Sequence, residues 1–284
     1  MTTLITGGTG RTGGSLARLL HAADRPFLVA SRTGKSSNPD FKAVTFDWFD
    51  PSTYENAFKD DIVPPVDRVY LLPPGGLMAT LTQSGPFIGF AISKGVKRFV
   101  LLTSSQTLRG TPALGEIHQY LIDKGVEYTV LKPTWYMQNF NANFLHSIRK
   151  DNEVFSASGE GKVPWVSTED VAQAAFDALT IEKSPNTEWL VLGPELYSID
   201  HAAELLSSIL GRKITHKKNT ALEQEEMYKG MGAPPDLSHL LADLERLIKE
   251  GKEAALVDQP AEGKYVGKRI LEQFFLENRD LWIV

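Results

Sequence analysis

The most constraining feature of the chain lies near its amino end. There Leu4-Ile5-Thr6-Gly7-Gly8-Thr9-Gly10-Arg11-Thr12-Gly13 packs an apolar run, spaced glycines and a helix start into one short stretch. Gly7, Gly10 and Gly13 form a G-x-x-G-x-x-G spacing, which lets backbone N–H groups approach a pyrophosphate at a helix N-terminus. Glycine turns also occur where no ligand binds, so context decides. A strand-like run precedes the turn, and Leu16, Leu19, Leu20 and Ala23 follow at helical spacing. The stretch therefore predicts a strand-turn-helix unit that binds a dinucleotide through Gly7, Thr9, Gly10, Arg11, Thr12 and Gly13.

The next strand, 27–30, ends in Ser31-Arg32-Thr33-Gly34-Lys35. NAD-specific folds place an acid there for the ribose hydroxyls, whereas Arg32 can stack on adenine and pair with a 2′-phosphate. The expected cofactor is NADPH, with Ser31 and Arg32 beside its ribose; the bland reading of Arg32 and Lys35 is a pair of solvated loop charges. Strand 43–46 ends in Asp47-Trp48, a carboxylate able to accept from the adenine amino group and a ring that equally suits a core anchor. Asp50-Pro51 then reads as the start of a helix with Tyr54, Ala57 and Phe58 on one face. Strand 68–72 runs into Pro73-Pro74-Gly75-Gly76, a loop expected beside the cofactor, which adds Leu72 and Pro73 to that set.

A helix over 78–94, strand 99–103, a helix over 113–124 and strand 128–131 complete the pattern. Alternating strands and helices imply right-handed crossovers, hence an α/β fold with a Rossmann-type doubly wound parallel sheet. Pro133 and the residues after it fall at a strand's carboxyl edge, where such sheets bind ligands. Beyond residue 150 the texture changes to a smaller, mainly helical lobe, with helices over 170–179, 200–210, 222–231, 237–249 and 270–278. The expected division is a nucleotide-binding domain over 1–150 and a substrate lobe over 151–284, with some elements of the latter returning to the main sheet.

Composition narrows the partners. A net charge of −5 argues against nucleic acid, whose phosphates need a positive face. With no cysteine, disulfides and thiol catalysis are excluded. No apolar run reaches the roughly 20 residues that span a bilayer, and the first strand begins almost at Met1, so a cytoplasmic protein without a membrane partner is expected. No His, Asp or Glu cluster has metal spacing and no Gly-x-Ser-x-Gly elbow occurs.

Short-chain reductases act through a Tyr-x-x-x-Lys pair on the helix after the fifth strand. Tyr120 and Lys124 have the spacing, but Lys124 abuts Gly125 at the helix end, far from where a nicotinamide would lie. His118, nearer mid-helix, is the remaining candidate acid, against the commoner role of a packed histidine. Ser104, at the end of strand 99–103, is a candidate contact to substrate or nicotinamide, or else a loop cap.

Gly7-Gly8-Thr9-Gly10-Arg11-Thr12-Gly13, Pro133-Thr134-Trp135-Tyr136-Met137-Gln138-Asn139, Gly159-Glu160-Gly161-Lys162-Val163-Pro164 and Val191-Leu192-Gly193-Pro194-Glu195-Leu196 together resemble the NmrA-like, atypical short-chain reductases. Leu210-Gly211-Arg212-Lys213-Ile214-Thr215-His216 and the Pro-Thr-Trp segment are similar to the fungal ergot-alkaloid branch. The resemblance implies NADPH-dependent reduction of a cyclic iminium, formed from chanoclavine-I aldehyde, to a tetracyclic clavine of the festuclavine or agroclavine type. A thiol such as glutathione would assist iminium formation. Trp135, Tyr136, Met137, Asn139, Trp165 and Tyr197 are then candidate contacts to a flat, indole-bearing alkaloid, with Tyr136 also in the catalytic set. Several relatives carry a Lys near the position of Leu114; its absence here speaks against ketone or alkene reduction. The alternatives are a catalytically silent NADP sensor and a quinone or alkene reductase.

Overall fold

A computed structural model describes residues 1–59, 61–74 and 80–283. The expected loop at Gly75-Gly76 and the expected helix start at Met78 therefore lie outside the described residues. In chain order, β1 (Thr2–Ile5) leads through the glycine turn to α1 (Arg11–Ala22), followed by β2 (Phe27–Ser31) and β3 (Ala43–Thr45). Next come β4 (Val66–Leu71), α2 (Thr80–Ser93), β5 (Arg98–Leu102), α3 (Leu114–Asp123) and β6 (Glu127–Pro133). The later chain forms α4 (Leu145–Lys150), β7 (Glu153–Ser156), β8 (Lys162–Pro164), α5 (Thr168–Thr180), β9 (Thr187–Leu192), β10 (Leu196–Ser198) and α6 (Ile199–Leu210). It closes with β11 (Thr215–Lys218), α7 (Ala221–Gly230), α8 (Pro235–Lys249), β12 (Lys264–Val266) and α9 (Leu271–Glu277). The helix expected after Asp50-Pro51 is a short 3-10 segment, Pro51–Ala57, capped by the Asp50 carboxylate on the Ser52 N–H.

Contacts divide the chain into Met1–Lys132 with Thr168–Leu190, and Pro133–Ser167 with Val191–Val284. The sequence expectation is a boundary at 150; in the structure the second unit starts at Pro133, and α5 returns to the first.

In the first unit the strands run in the order β9-β6-β5-β4-β1-β2-β3, and each neighbouring pair from β3 to β6 is parallel. The chain moves outward from β1 to β3, then returns to the other side of β1 to lay down β4, β5 and β6. That reversal makes the carboxyl ends of β1 and β4 the topological switch point, where open α/β sheets bind ligands. Leu4, Val69, Leu71, Phe99 and Leu101 bury one sheet face against Phe87, Ile88, Ile117 and Leu121. Phe46, Trp48 and Tyr54 extend this core, with Trp48 edge-on to Phe46 and Phe87 at centroid distances of 4.9 and 5.4 Å.

One buried cation fastens α5 to the sheet. Arg98, only 2% exposed, donates from Nε to Glu127 at 2.7 Å, from Nη1 to the carbonyls of Ala178, Leu179 and Ile181, and from Nη2 to that of Glu182. Its donors thus satisfy the carbonyls that α5 leaves open at its C-terminus.

The second unit has its own core of Met137, Phe140, Phe144, Phe155, Trp165, Phe275 and Trp282. β8 pairs antiparallel with β10, and β7 pairs parallel with β11. A buried carboxylate joins α8 to α7 and to the segment after β7. Glu245 accepts from Tyr228 Oη at 2.5 Å, Gln224 Nε2 at 3.1 Å and the Ala157 N–H at 2.6 Å. Burial pushes its carboxyl up to about 7, against the opposing pull of those three donors. Because the folded value lies above the ordinary one, the folded state takes up a proton. The resulting stabilisation is fully present below about pH 4.5 and is lost as pH rises through 7. The difference is about 3 kcal/mol at roughly 1.4 kcal/mol per unit. Urea unfolding at pH 5 and pH 8 is expected to show this loss in the native chain and a smaller one in Glu245→Gln.

Candidate functional site

The first-unit site is built on the turn after β1. Gly7 has φ +64°, a left-handed conformation, and a Cβ there would lie 2.6 Å from Leu72 Cδ2. A Cβ on Gly13 would lie 2.4 Å from the Gly7 carbonyl oxygen and 2.9 Å from Gly8 Cα. Both positions therefore demand glycine, one for conformation and one for close approach. The turn is held by Gly10 N–H to Gly7 O at 2.9 Å and Gly14 N–H to Gly10 O at 2.8 Å. Gly10 caps α1 with no side chain, and the first turn carries no acid. The helix N-terminus thus keeps its first N–H groups and its positive dipole end for an anion. A turn this tightly packed, opening on free helix N–H groups, fits a pyrophosphate.

Thr6 locks this turn to the neighbouring strand, donating to the Tyr70 carbonyl at 2.9 Å and accepting from the Leu72 N–H at 2.8 Å. Its importance is not visible in the glycine spacing; the signal available is a hydroxyl directly before the first glycine. Thr12 is buried and its Oγ1 accepts from Tyr70 Oη at 3.0 Å, so its side chain serves the core and only its backbone is offered to a ligand. Thr9 and Arg11 are exposed at the turn. Leu72 and Pro73 follow β4 at the switch point, with the Leu72 side chain against Gly7.

At the end of β2, Ser31 Oγ accepts from the Lys35 N–H at 3.0 Å and donates to the Lys35 carbonyl at 2.7 Å. This closes the loop that presents Arg32. Arg32 is exposed and makes no hydrogen bond or ion pair among the described residues. Asp47 Oδ1 accepts from the Phe49 N–H at 3.0 Å, which orders the loop after β3. Trp48, expected either at the cofactor or in the core, is packed edge-on in the core as described above.

Two of the catalytic candidates, Ser104 and His118, have partners within the protein. Ser104 Oγ lies 3.0 Å from Thr107 Oγ1, with Thr107 N–H donating to the Ser104 carbonyl at 3.0 Å, a capped turn. His118 is 4% exposed and its Nδ1 lies 3.3 Å from Glu188, whose other oxygen takes Lys132 at 2.9 Å. Burial holds the His118 imidazolium below its ordinary range; Glu188 opposes this, and Arg109 and Lys132 reinforce it. Buried, and with its imidazolium disfavoured, His118 is poorly placed to donate a proton. Lys124 Nζ sits 5.0 Å from the Tyr120 ring centroid, and Tyr120 Oη is the atom nearest a Cβ built on Gly89 of α2. That pair faces the helix layer.

The second-unit candidates separate by burial. Met137 and Trp165 are 1% and 2% exposed, and Trp165 Nε1 donates to the Tyr197 carbonyl at 3.2 Å. Both are core residues in this conformation, which corrects the expectation that they present walls to a ligand. Trp135, Tyr136, Asn139 and Tyr197 are partly exposed. The backbone of this segment is fixed by Thr134 N–H to Val191 O at 3.1 Å and Met137 N–H to Val166 O at 2.9 Å. Pro133 is buried at the end of β6. Among the described residues no cluster of three metal-ligating side chains occurs, and no helix is long and apolar enough to cross a membrane.

A parallel sheet with a glycine turn and an uncapped helix N-terminus at its switch point defines a dinucleotide-binding α/β protein. The chain belongs to the NmrA-like family, whose model matches residues 1–262. It is similar to agroclavine dehydrogenase of Claviceps purpurea, 40% identical over 288 residues with 99% of each chain covered. It is also similar to festuclavine dehydrogenase of Aspergillus fumigatus, 40% identical over 261 residues with 89% of each covered. Among solved structures, the triphenylmethane reductase of Citrobacter sp. in complex with NADP(H) superposes with a TM-score of 0.77 at 19% identity, covering 98% of this chain and 99% of that one.

Proposed function

We propose that this chain is an NADPH-dependent oxidoreductase that reduces a cyclic iminium to the amine of a tetracyclic clavine. The observation that carries the reading is the placement of the reductase pair: Lys124 caps the C-terminus of α3 just before β6 begins, and Tyr120 Oη lies beside Gly89 of α2, so the pair stands at the amino rather than the carboxyl edge of the sheet. The near full-length likeness to agroclavine and festuclavine enzymes supports the substrate class.

The missing acid suits this substrate. A ketone must gain a proton as hydride arrives, whereas an iminium carbon is already electron-poor. Hydride adds to that carbon, the C=N π pair moves to nitrogen, and a neutral amine results without protonation. NADPH, when bound, supplies the hydride. The N–H groups of the first turn of α1 would hold its pyrophosphate, and the exposed Arg32 guanidinium would pair with the 2′-phosphate. Trp135, Tyr136 and Tyr197 orient the planar cation by ring faces, with Asn139 as a polar contact.

Two predictions test this. Arg32→Ala is expected to weaken NADPH about 10- to 100-fold while leaving NADH within about threefold, measured by fluorescence titration, because only the 2′-phosphate contact is lost. An equal loss for both cofactors would remove Arg32 from the site. His118→Ala and Tyr120→Phe are expected to retain at least about a third of the turnover on a preformed iminium, since neither transfers a proton.

A further inference from the structure

The sheet edge opposite the glycine turn carries a cavity. It measures about 230 Å³ and is lined by Thr3 of β1, Leu20 at the end of α1, Arg25 and Pro26 before β2, Arg68 of β4 and Thr180 at the end of α5, among others. Two guanidinium groups face it, and among the described residues Asp24 is the one acid in the lining.

Neither cation has an oxygen partner at hydrogen-bond distance. The Arg68 side chain is 13% exposed, its Nε lies 3.9 Å from Asp67, and its Nη2 meets the Met1 thioether at 2.7 Å. Arg25 makes no side-chain hydrogen bond or ion pair among the described residues. Helix C-termini converge on this edge, but several of their carbonyls are already engaged. At α1 the Leu19, Leu20 and His21 carbonyls accept from the N–H groups of Ala23, Arg25 and Asp24. At α5 the Ala178 and Leu179 carbonyls accept from Arg98. Burial, with Arg98 and Arg25 nearby, pulls Arg68 below its ordinary range, against Asp67 and Glu127.

A half-buried guanidinium whose contacts are a thioether and a carboxylate at 3.9 Å is under-satisfied, and its planar fork matches the paired oxygens of a carboxylate or phosphate. We infer that the cavity bounded by Arg25 and Arg68 is a binding site for a small oxyanion, separate from the dinucleotide cradle. The site does not depend on the reaction proposed above. Its apolar walls, Leu20, Pro26, Pro64 and Leu179, leave room for a short carbon body on the anion.

Thermal melts at constant ionic strength in chloride, inorganic phosphate and succinate test the inference. Phosphate binding at the dinucleotide cradle is separated by running Gly13→Val alongside, each variant compared with its own melt in chloride. The expected result is a phosphate-specific rise in Tm of about 2–4 °C over chloride, retained in Gly13→Val and lost in both Arg68→Met and Arg25→Met. The same pattern with succinate alone assigns a carboxylate rather than a phosphate. The exposed Arg25 keeps the test open if Arg68→Met folds poorly. No rise beyond chloride with either anion, or a rise retained in Arg68→Met or Arg25→Met, overturns the inference.

Discussion

Gly13→Val is expected to weaken NADPH binding by at least about 100-fold, a loss of roughly 2.7 kcal/mol. The reason is geometric. The first side-chain atom would already lie 2.4 Å from the Gly7 carbonyl and 2.9 Å from Gly8 Cα, and both neighbours are backbone, which has no rotamer to move to. The turn must therefore open, carrying Gly10 and the first N–H groups of α1 away from the pyrophosphate. Overpacking of this kind costs the fold about 1–3 kcal/mol, so the variant should melt a few degrees lower yet remain folded by circular dichroism. Gly13→Ala, with the same first atom and no branches, should bind more weakly than the native chain and more tightly than valine. Fluorescence titration decides it, and valine binding within about threefold of native would remove the glycine turn from the cofactor site.

Glu245→Ala is expected to destabilise the chain by about 3–5 kcal/mol in urea at pH 7. Three buried donors, Tyr228 Oη, Gln224 Nε2 and the Ala157 N–H, lose their shared acceptor, and each orphan costs about 1–3 kcal/mol. The substitution also leaves a void between α7 and α8. Glu245→Gln keeps one oxygen but turns an NH₂ towards donors, so an intermediate loss is expected. A loss below about 1 kcal/mol for alanine would mean that water replaces the carboxylate at no penalty.

The first unit was legible because its signals are local. Leu4-Ile5 before Gly7, the apolar spacing of Leu16 and Leu20, and the repeated strand-helix alternation each state a backbone conformation that the structure retains. The second unit was less so. β8 and β10 are three residues each and pair only with one another, so a segment such as Lys162-Val163-Pro164 carries no period to read. Glu245 sits in a helix of alternating leucines and charges, where a glutamate ordinarily faces water. Its burial depends on Ala157, 88 positions away.

The candidate site divides in the same way. Gly7 and Gly13 could be found because backbone geometry admits one residue type. Residue type alone does not say which way a ring points. Met137 and Trp165 therefore read as walls and proved to be core, while the partly exposed Trp135, Tyr136 and Tyr197 read identically in sequence. His118 looked like a lone mid-helix histidine; its partner Glu188 lies on β9, 70 residues downstream, beyond any local pattern.

The central claim is hydride transfer to an iminium without a protein acid. The most direct measurement is NADPH oxidation and product analysis with a preformed cyclic iminium, with chanoclavine-I aldehyde plus glutathione, and with a quinone, using the native chain and a His118→Ala/Tyr120→Phe double variant. The account predicts clavine formation from both alkaloid substrates, little NADPH use with the quinone, and turnover of the preformed iminium in the double variant within about threefold of native. Loss of that turnover in a double variant that still binds NADPH normally, or preference for the quinone, would contradict it.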